Sequence, residues 1–200
     1  MKLLRPALTL AAACVLFLGC AKEAPKAETK SPNPPAKKDV GTVKAKAKVV
    51  KPTPIDVSKM KVIDFAALKG MVEKRGSKLT MVPFWATWCG PCIKEMPHLA
   101  KFYQAHKDQG LDIIAVCVGD KDDEDEREQM QEVLEDLKSP FQHFLVKPDD
   151  APAFFKAFGQ EYGETLPATV LLDSKGASVD FTRNAWTDDS LSKVILPKLK

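Results

Sequence analysis

Residues 56–200 predict an α/β domain with a central mixed sheet flanked by helices. Three observations carry this. Two long apolar runs, Leu79–Ala86 and Leu111–Val118, flank an amphipathic helical stretch, the pattern of parallel strands joined by a helical crossover. A turn sequence, Asp173-Ser174-Lys175-Gly176, separates Thr169–Leu172 from Ala177–Thr182 and predicts a hairpin. The first apolar run ends in a short turn that holds Cys89 and Cys92. About 145 residues suffice for one well-buried core.

The elements follow in order. Val62–Phe65 reads as a short strand or its edge, and Ala66–Lys74 as a helix stopped by Gly76. Leu79–Ala86 is the central strand, although Pro83 removes one ladder donor and predicts a bulge or local irregularity. Cys89 to about Lys107 is a helix ended before Gly110, with Met96 and Leu99 on its core face and a kink at Pro97. His98 and His106 take surface positions, and Trp85 belongs to the core. Asp122–Lys138 places Met130, Val133, Leu134 and Leu137 on one side. Its acidic start suits a helix N-terminus and a solvated face rather than a metal site. Phe141–Val146 is a strand, Pro152–Phe158 a short helix closed by Gly159, and Asp188–Ile195 a last helix with Thr187 as cap.

The chemistry lies in Phe84-Trp85-Ala86-Thr87-Trp88-Cys89-Gly90-Pro91-Cys92. A dithiol at a helix N-terminus meets unpaired N–H groups and the positive end of the dipole. These stabilise a thiolate and lower its pKa. Two thiols at this spacing can close a disulfide and reopen it. Gly90-Pro91 forms a tight turn that should lift Cys89 toward solvent. A bare C-x-x-C also fits half a zinc site or a structural disulfide. Zinc needs four ligands, and the domain offers only Cys117, in a strand-like run, and the scattered His98, His106 and His143. Cys117 reads as a buried, inert thiol. Thiol–disulfide exchange is the strongest reading.

Trp-Cys-Gly-Pro-Cys after an apolar strand resembles the thioredoxin superfamily. Phe84–Cys89, Lys94-Glu95-Met96-Pro97 and the block Tyr162–Gly176 resemble its TlpA/ResA-like group of membrane-anchored oxidoreductases. The resemblance covers about residues 56–200 and implies a thioredoxin-like fold with an inserted αβ segment. It implies a redox-active disulfide Cys89–Cys92, with Cys89 attacking and Cys92 resolving, and no other cofactor and no metal. It makes Pro167 a cis-proline facing the cysteines, with Leu166 offering its backbone to an extended substrate. Glu95 would lie near the thiols and tune their acidity; a solvated Glu is the plain alternative. Trp88, Gly90 and Pro91 would border the substrate, Trp88 as an apolar wall. Thioredoxin itself has a buried Asp where this chain has Pro83, so more rests on Glu95.

Residues 1–19 read as a lipoprotein-type signal peptide: Lys2 and Arg5, then apolar Ala7–Leu18, then Gly19-Cys20. Cleavage would leave Cys20 lipidated at the N-terminus; the runner-up is an uncleaved signal anchor. Residues 20–55 read as a disordered Lys/Pro/Ala-rich tether with a charge of about +6, against about −5 for residues 56–200. The domain is thus expected outside the cytoplasm, held at the inner or outer membrane, where a disulfide persists. The partners expected are exported proteins with cysteines, apocytochrome c among them by family analogy, and a membrane electron donor for a reductase. No nucleic acid is expected, and the chain is expected to be a monomer. Two other classes stay open: a binding, chaperone or copper-carrier module with Met96 and His98 beside the thiols, and a peroxide-reducing enzyme.

Overall fold

A computed structural model describes residues 54–200. The predicted signal peptide, Cys20 and nearly all of the predicted tether lie outside the described residues. The two long apolar runs become β1 (Leu79–Trp85) and β2 (Leu111–Val118), adjacent and parallel. β3 (Gln142–Val146) extends the sheet in parallel beyond β2. β4 (Ala168–Asp173) pairs antiparallel with the other side of β1, and β5 (Ser178–Thr182) pairs antiparallel with β4. The order is β3-β2-β1-β4-β5, a mixed sheet as expected.

The central strands read as largely apolar runs, broken only by the buried Thr80 and Asp112, because both faces of the sheet are covered. Leu79, Met81 and Trp85 of β1 and Ile113, Ala115 and Cys117 of β2 join one core. That core meets α2 (Gly90–His106), α3 (Glu124–Leu137), α5 (Asp188–Val194) and α6 (Leu196–Leu199). Val82, Phe84, Ile114 and Val116 alternate onto the other face. They meet Leu68 and Val72 of α1 (Phe65–Arg75) and Phe154 and Phe155 of α4 (Ala151–Ala157). Phe84 and Phe155 are in ring contact at 4.5 Å. In α2, Met96 and Leu99 face the first core as expected, and Trp85 is buried. In α3, Met130 and Leu134 are buried, while Val133 and Leu137 pack partly buried against the same core.

Local chemistry sets the boundaries. Asp64 caps α1 by accepting the Ala67 N–H at 2.7 Å, and Gly76 ends it at φ 63°. Asp123 accepts the Glu126 N–H at the start of α3. Thr187 and Ser190 form a capping box at α5. One expectation changes, and the irregularity expected at Pro83 takes the form of an interrupted ladder. Val62–Phe65 is not a strand: Val62 makes one parallel bridge to Leu145 at the β3 edge, and Phe65 already opens α1 behind its Asp64 cap. Pro83 makes no bulge. It stays in register opposite Thr169, while the ladder to β2 skips Val82 and Pro83 and resumes at Phe84 in the same register. Losing one donor interrupts the ladder without displacing the strand.

Candidate active site

β1 delivers the chain to the carboxyl edge of the sheet, where ligand sites of such sheets lie. The Cys89 N–H donates to Ala86 O at 3.0 Å and closes a tight turn. Cys89 is the N-cap of α2, with Gly90 and Pro91 in its first turn. Proline wastes no donor there. The Cys92 N–H donates to Cys89 Sγ at 3.3 Å, and Cys92 Sγ lies 3.8 Å from Phe84 O. Cys89 and Cys92 form a disulfide, their Cα atoms 5.3 Å apart.

The expectation that the turn lifts Cys89 toward solvent does not hold in this oxidised form. Cys89 is 2% exposed and Cys92 0%. Both cysteines lie in the core that also holds Met96, Leu99 and Trp186. Its rim is what meets solvent. Trp88 is 62% exposed, and Gly90 and Pro91 are exposed beside it.

The Leu166–Pro167 peptide is cis. Pro167 is buried; Leu166 is half-buried and packs against both cores. Phe84 pairs with Ala168, so the same register continued sets Pro167 opposite Trp85, just before the cysteine turn. Leu166 precedes the ladder, which begins at Ala168. Arg183 holds the loop that leads to it. Its guanidinium donates to Thr165 O at 2.7 Å and to Glu161 O, and lies over the Phe181 ring.

Glu95 is no surface residue. It follows Cys92 by three positions, on the same helix face, and is 1% exposed. Its Oε2 accepts the Trp186 backbone N–H at 2.7 Å. Its Oε1 is buried without a hydrogen-bond partner among the described residues. Burial pushes the carboxyl up to about pKa 7, and the Trp186 N–H opposes that rise. A buried carboxyl poised near neutrality can hold or release a proton one helical turn from a thiol.

The other singled-out residues lie elsewhere. Cys117 is buried, its Sγ 3.6 Å from Met130 Sδ, and burial holds its thiol well above the usual range. His98 is partly exposed, with Nδ1 2.8 Å from Asp188 Oδ1. His106 is half-buried against Phe102, its Nδ1 enclosed without a hydrogen-bond partner among the described residues. His143 is buried against Trp85 and Phe141, and burial pushes its pKa down to about 3. Among the described residues no three His, Cys, Asp or Glu side chains converge on a metal position.

Sequence reasoning missed Trp186 and Arg183, and read Thr169 only as a strand residue. Trp186 also donates its indole Nε1–H to Thr169 Oγ1 at 3.0 Å, inside the core. One signal was available: a lone large apolar residue within Arg183-Asn184-Ala185-Trp186-Thr187-Asp188.

Residues 71–187 match the Redoxin family. The chain is 31% identical over 129 residues to the thiol-disulfide oxidoreductase ResA of Bacillus subtilis, covering 64% of this chain and 62% of that protein. To ResA of Geobacillus kaustophilus it is 51% identical over 110 residues, 55% of this chain and 57% of that one. To the thiol:disulfide interchange protein HelX of Rhodobacter capsulatus it is 29% identical over 128 residues, 64% of each chain. Among solved structures, a thioredoxin-related protein from Neisseria meningitidis serogroup B superposes with a TM-score of 0.51 at 26% identity. That match covers 61% of this chain and 85% of the other. The cysteine pair at the N-terminus of α2, the five-stranded mixed sheet and these matches agree: the chain belongs to the Redoxin family and is a TlpA/ResA-like oxidoreductase of the thioredoxin superfamily.

Proposed function

We propose that this chain is a membrane-tethered, extracytoplasmic thiol–disulfide oxidoreductase that reduces disulfides in exported proteins. The observation that carries the reading is a dithiol at a helix N-terminus with a buried carboxyl one turn on, at Glu95. In the reduced protein the Cys89 thiolate attacks one sulfur of a substrate disulfide. The substrate S–S bond breaks, a Cys89–substrate bond forms, and the departing thiolate takes a proton from solvent. Cys92 then gives its proton to the Glu95 carboxylate and attacks Cys89 Sγ. The mixed disulfide breaks, Cys89–Cys92 closes, and the substrate leaves with both electrons.

Trp88, Gly90 and Pro91 would bear against the substrate at the exposed rim, and the Leu166 backbone would pair with its extended chain. The Gly19-Cys20 box supports a lipid anchor on Cys20. Among the described residues no helix is long and apolar enough to cross a membrane. The family resemblance makes apocytochrome c cysteines a substrate to test first, with electrons arriving from a membrane donor. A copper carrier would need Met96 and His98 free beside the thiols, whereas Met96 is a core residue and His98 meets Asp188.

The experiment is the Cys89–Cys92 reduction potential of the protein, equilibrated against dithiothreitol and glutathione. A strongly negative potential is expected of a reductase. A much less negative one would make the chain an oxidant that inserts disulfides, since 30 mV already corresponds to about 1.4 kcal/mol. Full biological activity in Cys89→Ser and Cys92→Ser variants would sink the redox reading altogether. Mass spectrometry of the mature N-terminus tests the anchor; an unmodified chain starting at Met1 rules it out.

A further inference from the structure

We infer that Trp186, fixed by its indole bond to Thr169, is a positioning residue that sets the protonation of Glu95 for the resolving step. The inference rests on the reading of Glu95 as the acceptor of the Cys92 proton. It concerns what holds that acceptor in place.

The backbone N–H of Trp186 is the one hydrogen-bond partner of the Glu95 carboxyl group found among the described residues. Trp186 lies in the irregular segment 183–187, between β5 and α5. No ladder or helical repeat fixes the direction of its N–H. The side chain does so instead. The buried indole donates to Thr169 Oγ1 at 3.0 Å. Thr169 is rigid by location: it sits in β4, pairs with Pro83 of β1, and follows the cis-proline by two residues. The next residue, Thr187, is locked in the α5 capping box. Thr169, Trp186 and Glu95 thus form one buried chain of hydrogen bonds, from the proline-bearing strand to the cysteine-bearing helix.

The charged groups nearby are occupied elsewhere. Asp188 at the start of α5 meets His98 and Lys101 of α2. Asp189 pairs with Lys193, and Arg183 bonds the carbonyls of Thr165 and Glu161. On α2 the titratable residues three positions from Glu95 are Cys92 and His98, and His98 is held by Asp188. A single N–H therefore opposes the effect of burial on Glu95. Donation to a carboxylate favours the charged form. If the N–H swings away, Glu95 keeps its proton to higher pH and is a base over a narrower range.

The test is 13C NMR titration of the Glu95 carboxyl carbon in the full-length oxidised protein, where Cys89 and Cys92 do not titrate. It is paired with the pH profile of disulfide reduction. Thr169→Val removes the acceptor while keeping the shape; Trp186→Phe removes the indole donor while keeping the backbone N–H. Each should raise the Glu95 midpoint by about half to one unit. That is a three- to tenfold loss of the base form just below neutrality. The rise of the turnover profile should move with it, in kcat more than KM, and Thr169→Ser should restore both. Should Thr169→Val fail to fold, Trp186→Phe carries the test. Unchanged midpoints in the folded variants would overturn the inference, as would midpoints that move without the turnover profile. A wild-type Glu95 titrating near 4.5 would instead overturn the proton-acceptor reading on which it rests.

Discussion

Glu95→Gln should change how stability depends on pH, by an amount the structure sets. An unfolded chain has this carboxyl near 4.5, and burial in the folded state raises it to about 7. Between those values the folded state binds the proton and the unfolded state does not. Stability therefore falls as pH rises through that window. Below about 4.5 both states are protonated and the effect vanishes; above about 7 it is complete. At 1.4 kcal/mol per unit, the shift is worth about 3 kcal/mol of destabilisation at pH 8. Glutamine carries no charge and escapes it. Its amide can still accept the Trp186 N–H but leaves an NH2 enclosed without a partner, a fixed loss of about 1–3 kcal/mol at every pH. The stability of Glu95→Gln minus that of wild type should hence rise by about 3 kcal/mol from pH 4.5 to pH 8. Urea unfolding of both oxidised proteins, followed by tryptophan fluorescence, measures it, and titrations elsewhere cancel in the difference. A flat difference across that range would refute the reasoning and return Glu95 to a solvated environment.

His143 should act in the opposite sense: burial lowers its pKa from 6.5 to about 3, so stability is lost as pH falls below 6.5. The lability between pH 6.5 and 4.5, about 3 kcal/mol, should disappear in His143→Leu; its persistence in unfolding curves would relocate the acid-sensitive group. Cys117 should resist iodoacetamide in the folded protein and react only after denaturation; native-state labelling seen by peptide mass mapping would contradict its burial. Thr187→Ala removes half of the α5 capping box and should lower stability by about 1 kcal/mol in denaturant unfolding. A change below a few tenths would mean that water replaces the cap.

The strands and helices were legible because their signals are local. Leu79–Trp85 and Leu111–Val118 are long and largely apolar since both faces are covered, and Gly76 and Thr187 mark ends through their own caps. Val62–Phe65 misled for the same reason. Three apolar residues in four suggest a strand, but Asp64 caps a helix there and leaves a single bridge.

The sequence by itself determined the chemistry: two thiols three positions apart, behind an apolar strand and in the first turn of a helix, with a carboxyl one turn on. Spacing along one helix fixes these relations, so no tertiary contact was needed to state them. Only the tertiary structure decided the environment of those groups. Cys89, bonded to buried Cys92, is itself enclosed in the core of the oxidised form. Glu95 is buried rather than solvated because the segment before α5, 91 residues farther along the chain, closes over it and donates one N–H. Burial and hydrogen bonding between distant segments set a pKa, and such contacts follow from how the sheet brings those segments together.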